Sequence, residues 1–147
     1  MTDANQFSTF YLDGHFFGIN VLEVQEVFRY QEMTKVPLAP TVVRGLINLR
    51  GQIITAIDLR KRLGLPDRAE GENPMNVVVS SSDEVVSLLV DKIGDVLDVA
   101  EEQHEPPPGT ITAAMRDLIE GIYKLENQLL LILDIARVMR FETETTD

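Results

Sequence analysis

Arg50 stands in Asn48-Leu49-Arg50-Gly51, between two apolar segments. A planar guanidinium fork on an apolar stem suits bidentate gripping of carboxylates or carbonyls on a partner. The plainer reading is that Arg50 decorates a tight hairpin in which Gly51 supplies the positive φ. Catalytic arrangements are harder to assemble. His15 lies beside a glycine in an expected hairpin turn, and His104 lies far along the chain in an acidic loop. Asp91, Asp95 and Asp98 could suggest a carboxylate cluster, but side chains alternate along a strand and this spacing divides them between faces, as expected of a solvated outer surface. Glu101, Glu102 and Glu105 with His104 match no familiar metal-ligand spacing. Gly-x-Gly-x-x-Gly, Gly-x-x-x-x-Gly-Lys and Gly-x-Ser-x-Gly are all missing, as is cysteine, so no phosphate cradle, nucleophile elbow or thiolate is encoded. Neither a catalytic set, a metal nor a cofactor is expected.

Those residues must be positioned by a chain of 147 residues, enough for one good core or two small ones packed together. Its formal charge of -11 would repel phosphate backbones, and its 13 Lys and Arg form no basic stripe. Nucleic acid is therefore not an expected partner. Met1 to Gln6 is polar, and the longest apolar run, Leu129 to Leu133, is far too short to cross a bilayer. A soluble cytoplasmic protein without direct membrane insertion is expected. The start at Met1 and the polar end, Glu142 to Asp147, suggest a complete chain.

Short runs of Val, Ile, Leu and Phe separated by Gly, Pro, Asn or Asp predict an all-β protein. Strands are expected over Phe7 to Leu12, Phe16 to Asn20, Val24 to Tyr30, Gly45 to Leu49, Gln52 to Ile57, Met75 to Ser80, Val85 to Val90, Ile93 to Val99, Gly121 to Leu125 and Gln128 to Leu133. Asp58 and Asp134 each precede a short helical segment, Leu59 to Leu63 and Ile135 to Arg140, whose first amides an Asp side chain can cap. A third helix is expected within Thr112 to Ile119, and loops over Pro66 to Pro74 and Glu101 to Thr110. Sliding the halves past each other exposes an internal duplication. Gly45-Leu46-Ile47-Asn48-Leu49-Arg50-Gly51-Gln52, running on to Asp58, matches Gly121-Ile122-Tyr123-Lys124-Leu125-Glu126-Asn127-Gln128, running on to Asp134. Upstream, Phe17, Ile19, Val21, Val24 and Val27 match Val86, Leu88, Val90, Ile93 and Val96. Two sets of about five strands suit two small barrels packed side by side, and Val24, Val27, Ile93 and Val96 are core residues unless a groove between the barrels admits a partner helix.

Read in order, Val24-Gln25-Glu26-Val27, Val36-Pro37-Leu38-Ala39-Pro40, Val43-Arg44-Gly45-Leu46-Ile47-Asn48-Leu49-Arg50-Gly51, Ile57-Asp58-Leu59-Arg60, the Glu105-Pro106-Pro107-Pro108 link and Leu131-Ile132-Leu133-Asp134 resemble the CheW chemotaxis coupling family over nearly the whole chain. Thr55, where many members carry proline, is a local departure. The resemblance implies two packed SH3-like five-stranded β-barrels with short helices, forming a single CheW-like domain over 1-147. One subdomain would take about 14-74; the other would take about 75-140 plus a crossing strand near 7-12. It also implies a non-catalytic adaptor (scaffold), cytoplasmic and recruited to membrane-associated arrays. Its partners would be the cytoplasmic tip of methyl-accepting chemotaxis receptors and the CheW-like regulatory domain of the histidine kinase CheA, in assemblies that join end to end into rings. Carried over by position, Val24, Glu26, Gly45 and Arg50 would face the receptor, with Ile93 and Val96 lining the groove from the other barrel. The kinase-binding residues stay unassigned. A non-flagellar chemosensory array, or less readily a small-ligand-binding β-barrel, are the alternatives.

Overall fold

The computed structural model describes residues 6–100, 104–106 and 111–140. The chain is mostly strand, as the short apolar runs predicted. In order come β1 (Gln6–Leu12), β2 (His15–Asn20), a 3-10 turn (Val21–Glu23), β3 (Val24–Phe28), β4 (Val43–Leu49), β5 (Gln52–Asp58) and α1 (Leu59–Arg62). The second half follows with β6 (Met75–Ser81), β7 (Glu84–Val90), β8 (Lys92–Asp98), β9 (His104–Glu105), α2 (Ala113–Leu118), β10 (Ile119–Lys124), β11 (Leu129–Leu133) and α3 (Ile135–Val138). Asp58 and Asp134 cap their helices as expected, and Thr112 does the same for α2. Lys61 N donates to Asp58 Oδ1, Met115 N to Thr112 Oγ1 and Arg137 N to Asp134 Oδ1, each meeting an amide that the first helical turn leaves unpaired. Most of the expected Glu101 to Thr110 loop lies outside the described residues.

Two SH3-like sheets result. One runs β3-β6-β7-β5-β4 and the other β8-β1-β2-β11-β10-β9, the two-residue β9 adding a sixth strand to a set of five. Among the described residues the outermost strands of a sheet do not pair with each other, so each barrel is open rather than hydrogen-bonded all round. The hydrogen-bonded sheets also depart from the expected subdomain bounds. His15–Asn20, expected with 14-74, joins the second-half sheet, while Met75–Ser81 and Glu84–Val90, expected with 75-140, join the first. The whole β1-β2 hairpin lies between β8 and β11, and the whole β6-β7 hairpin lies between β3 and β5. Each half thus lends its first hairpin to the other. Both insertions are sealed by a parallel pairing, β2 with β11 and β5 with β7.

This exchange explains the unbroken apolar runs. A strand in mid-sheet meets a core on each face, so alternation of apolar with polar residues disappears. On β11, Leu131 and Leu133 enter a large core shared by both sheets, whereas Leu130 and Ile132 fill the interior of their own barrel. On β6, Val77 and Val79 enter the shared core while Val78 packs on Ile47 and Ile54 inside the other barrel. The shared core also takes Phe10, Leu12, Phe17 and Ile19 from the lent β1-β2 hairpin.

Candidate functional site

The β4-β5 hairpin aligns Leu49 with Gln52, leaving Arg50 and Gly51 as a two-residue turn. Both take positive φ, 53° and 83°. That geometry matches the right-handed twist of the flanking strands but is uncommon for a non-glycine residue. Asn48 supports the turn by accepting from Gly51 N through Oδ1 at 3.0 Å. From there the Arg50 side chain reaches β3: Nη1 donates to Glu26 Oε1 at 2.8 Å and Nη2 donates to Oε2. This bidentate fork is the charge-assisted geometry that arginine favours, and it holds the Glu26 carboxyl below its ordinary range. Because β3 and β4 are the two edges of their sheet, the pair joins by side chains the edges that main-chain hydrogen bonds leave apart.

Val24 lies beside Glu26 on β3, half-buried against the shared core, and Ile93 occupies the matching place on β8. The register sets Val24 opposite Val79, Val27 opposite Val77 and Ile93 opposite Phe10, all residues of that core. Val27 and Val96, one step further along each strand, remain exposed. Val24, Glu26 and Arg50 therefore lie on one sheet, while on the other Ile93 packs against the same core and Val96 stands exposed further along β8.

Gly45 is buried. An added Cβ would lie 2.8 Å from Thr34 O and 3.0 Å from Met33 Cβ. The glycine lets the chain before β4 close onto it, where Thr34 N donates to Leu46 O at 2.9 Å and Leu46 N returns a bond to Thr34 O at 2.8 Å. Its place is underneath this segment.

Two conspicuous residues were not singled out from sequence. Leu38 is fully exposed at φ 64°, second central residue of a turn in which Ala39 N donates to Val36 O. Such positions favour glycine or asparagine, and the preceding Pro37 was the available turn signal. Leu22 is exposed in the 3-10 turn between β2 and β3. Beside it, burial and then the charges of Glu120 and Asp134 raise the carboxyl of Glu23, while burial and Asp134 raise that of Glu120. Among the described residues no group of three or more His, Asp or Glu could hold a metal ion. No helix among them is long and apolar enough to cross a membrane. One cleft among the described residues is lined chiefly by charged side chains, among them Arg44, Asp58, Lys61, Asp67 and Glu70.

Comparison with known proteins places this arrangement. Residues 6–142 match the family model of the CheW-like domain. A chemotaxis protein CheW of Bacillus subtilis is 34% identical over 134 residues, spanning 91% of this chain and 86% of that protein. One of Klebsiella aerogenes is 30% identical over 141 residues, spanning 96% and 85%. The crystal structure of the scaffolding protein TtCheW from Thermoanaerobacter tengcongensis superposes with a TM-score of 0.83 at 29% identity, covering 98% of this chain and 93% of that one.

Proposed function

Since the chain belongs to the CheW-like domain family, we propose that it is a non-catalytic adaptor coupling methyl-accepting chemoreceptors to the histidine kinase CheA. The observation that carries the reading is the family match, which runs from β1 past α3 and so includes both sheets and the strand edges between them. A change in receptor conformation would alter contacts with adaptor and kinase together, biasing the kinase between active and inactive states without any turnover by the adaptor. The receptor-facing surface we assign is Val24, Glu26 and Arg50 on one sheet, with Ile93 and Val96 on the other. Gly45 contributes from beneath by seating the segment before β4. On this reading the protein works in the cytoplasm and is recruited to receptor arrays at the membrane.

Co-sedimentation with receptor-containing membranes, with and without CheA, tests the role while kinase autophosphorylation is followed. Ternary assembly with receptor-dependent control of the kinase is expected; well-folded protein that binds neither component would refute it. Within that assay, Arg50→Ala is expected to weaken receptor binding while the fold persists. Unchanged affinity at native stability would remove Arg50 from the surface.

A further inference from the structure

Asp91 sits where the chain leaves β7 of one sheet and starts β8 of the other. Its carboxylate accepts five hydrogen bonds from three different segments. Arg60, at the start of α1, donates from Nε to Oδ1 at 3.1 Å and from Nη2 to Oδ2. Arg68, in the loop after α1, donates from Nε at 3.1 Å and Nη2 at 2.8 Å, both to Oδ1. Asp13 N, in the β1-β2 turn, donates to Oδ2 at 2.8 Å. The backbone is fixed too, because Asp91 N donates to Tyr11 O at 3.0 Å. Arg60 further donates to Pro66 O at 2.9 Å and lies 3.9 Å from Asp13 Oδ1. Both arginine side chains are about nine-tenths buried, at 11% and 7% exposure. Desolvation offsets much of the attraction in ion pairs this buried, so their net contribution to stability is small, whereas removing one partner strands a buried charge.

The duplication supplies an internal control. The spacing that matches Val21 with Val90 and Val24 with Ile93 places Leu22 where the second half has Asp91. Likewise Ala136 stands for Arg60, two residues after the matched cap, and Ser82 stands for Asp13 in the equivalent positive-φ turn. The lead into β3 therefore carries none of these charges, and its Leu22 points into solvent.

We infer that the Asp91 cluster is a positioning clamp that fixes β8 against the first-half sheet, making Ile93 and Val96 a stationary wall of the partner surface, a device that the lead into β3 lacks. The clamp acts through β8 and touches no partner itself. Its link to binding rests on the receptor-facing surface proposed above, but its effect on β8 can be read without any partner.

The test uses the full chain with Asp91→Asn, Asp91→Glu and Arg68→Gln, the last leaving the Arg60 bonds to Asp91 in place should Asp91→Asn fail to fold. Amide exchange is followed separately in β3 and β8, and affinity for receptor-containing membranes is measured well below each melting temperature. Asp91→Asn is expected to speed exchange in β8 but not β3 and to weaken binding roughly twofold to thirtyfold, the span of couplings that act at a distance. Asp91→Glu should restore part of both, and Arg68→Gln should show the same pattern more weakly. A lower melting temperature with β8 exchange and affinity unchanged would overturn the clamp, as would equal acceleration in both strands. If the well-folded wild-type protein does not bind receptor-containing membranes while β8 exchange still responds to Asp91→Asn, the receptor-facing reading fails and the clamp stands.

Discussion

Gly45→Ala isolates a single steric claim. The new methyl would begin 2.8 Å from a main-chain oxygen, Thr34 O, and 3.0 Å from Met33 Cβ. Ordinary van der Waals contact starts near 3.4 Å. Neither neighbour is the loose end of a flexible side chain, so the segment must move by roughly half an ångström or keep the strain, a cost of about 1–3 kcal/mol for overpacking. If it moves, the two bonds between Thr34 and Leu46 stretch, and each contributes about 0.5–1.5 kcal/mol. These are alternative relaxations rather than additive costs, so about 2 kcal/mol is expected in either case. With a urea dependence of about 2 kcal/mol per molar, typical of a small protein, the unfolding midpoint by circular dichroism should fall by about 1 M. Amide exchange distinguishes the routes: Thr34 and Leu46 amides exchange faster if the bridge opens and stay protected if the strain is kept. A wild-type midpoint with unchanged exchange would refute the close approach and, with it, the reason for a glycine here.

Other outcomes follow from particular residues. Leu38→Asn should raise stability by about 1 kcal/mol, or a few degrees in Tm, because asparagine tolerates the left-handed conformation that an exposed leucine holds under strain; a lower Tm would show that the leucine packs usefully. Glu120 has a folded-state pKa above its ordinary 4.5, pushed up by burial and by Asp134. Its stabilising contribution is present below that value and lost as pH rises through the folded pKa, so Glu120→Gln should stabilise at pH 7 and gain nothing below about pH 4.5. A gain that persists in acid would point to packing instead of charge. Asp134→Ala removes the acceptor for Arg137 N and should cost about 1 kcal/mol in chemical unfolding; no loss would mean that water serves α3 equally well.

Much of the fold was legible because strands between two cores must be apolar on both sides, and runs such as Val77 to Val79 or Leu129 to Leu133 announce themselves. The tight turn at Arg50-Gly51 was legible from the glycine between two apolar runs, but only Gly51 was expected to take positive φ, and Arg50 takes it too. Strand neighbours were not. Alternation says which way a side chain points but not which strand lies alongside, so His15–Asn20 and the β6-β7 hairpin were expected with their own halves. Asp91 was read as part of a solvated face because its partners, Asp13, Arg60 and Arg68, are 78, 31 and 23 residues away, and no local pattern encodes a contact across such distances. Gly45 was placed among partner-facing residues, whereas its burial shows how an effect on that surface could arise from below it.

The reciprocal loan of hairpins has a consequence for how such a molecule can come apart. Neither half holds a complete sheet, so a cut in the 65–74 loop would leave two fragments, each missing the strands that fill the middle of its barrel. They should be poorly folded alone and restore the native protein only when mixed. Written as two chains, the same topology is a hairpin-swapped dimer of roughly seventy-residue subunits, and exchange of identical elements is a low-cost route to such dimers. Covalent joining releases those subunits from the identity that symmetry imposes. One crossover can then become an arginine-bound aspartate while its twin becomes a bare leucine, giving a symmetric scaffold two ends that behave differently.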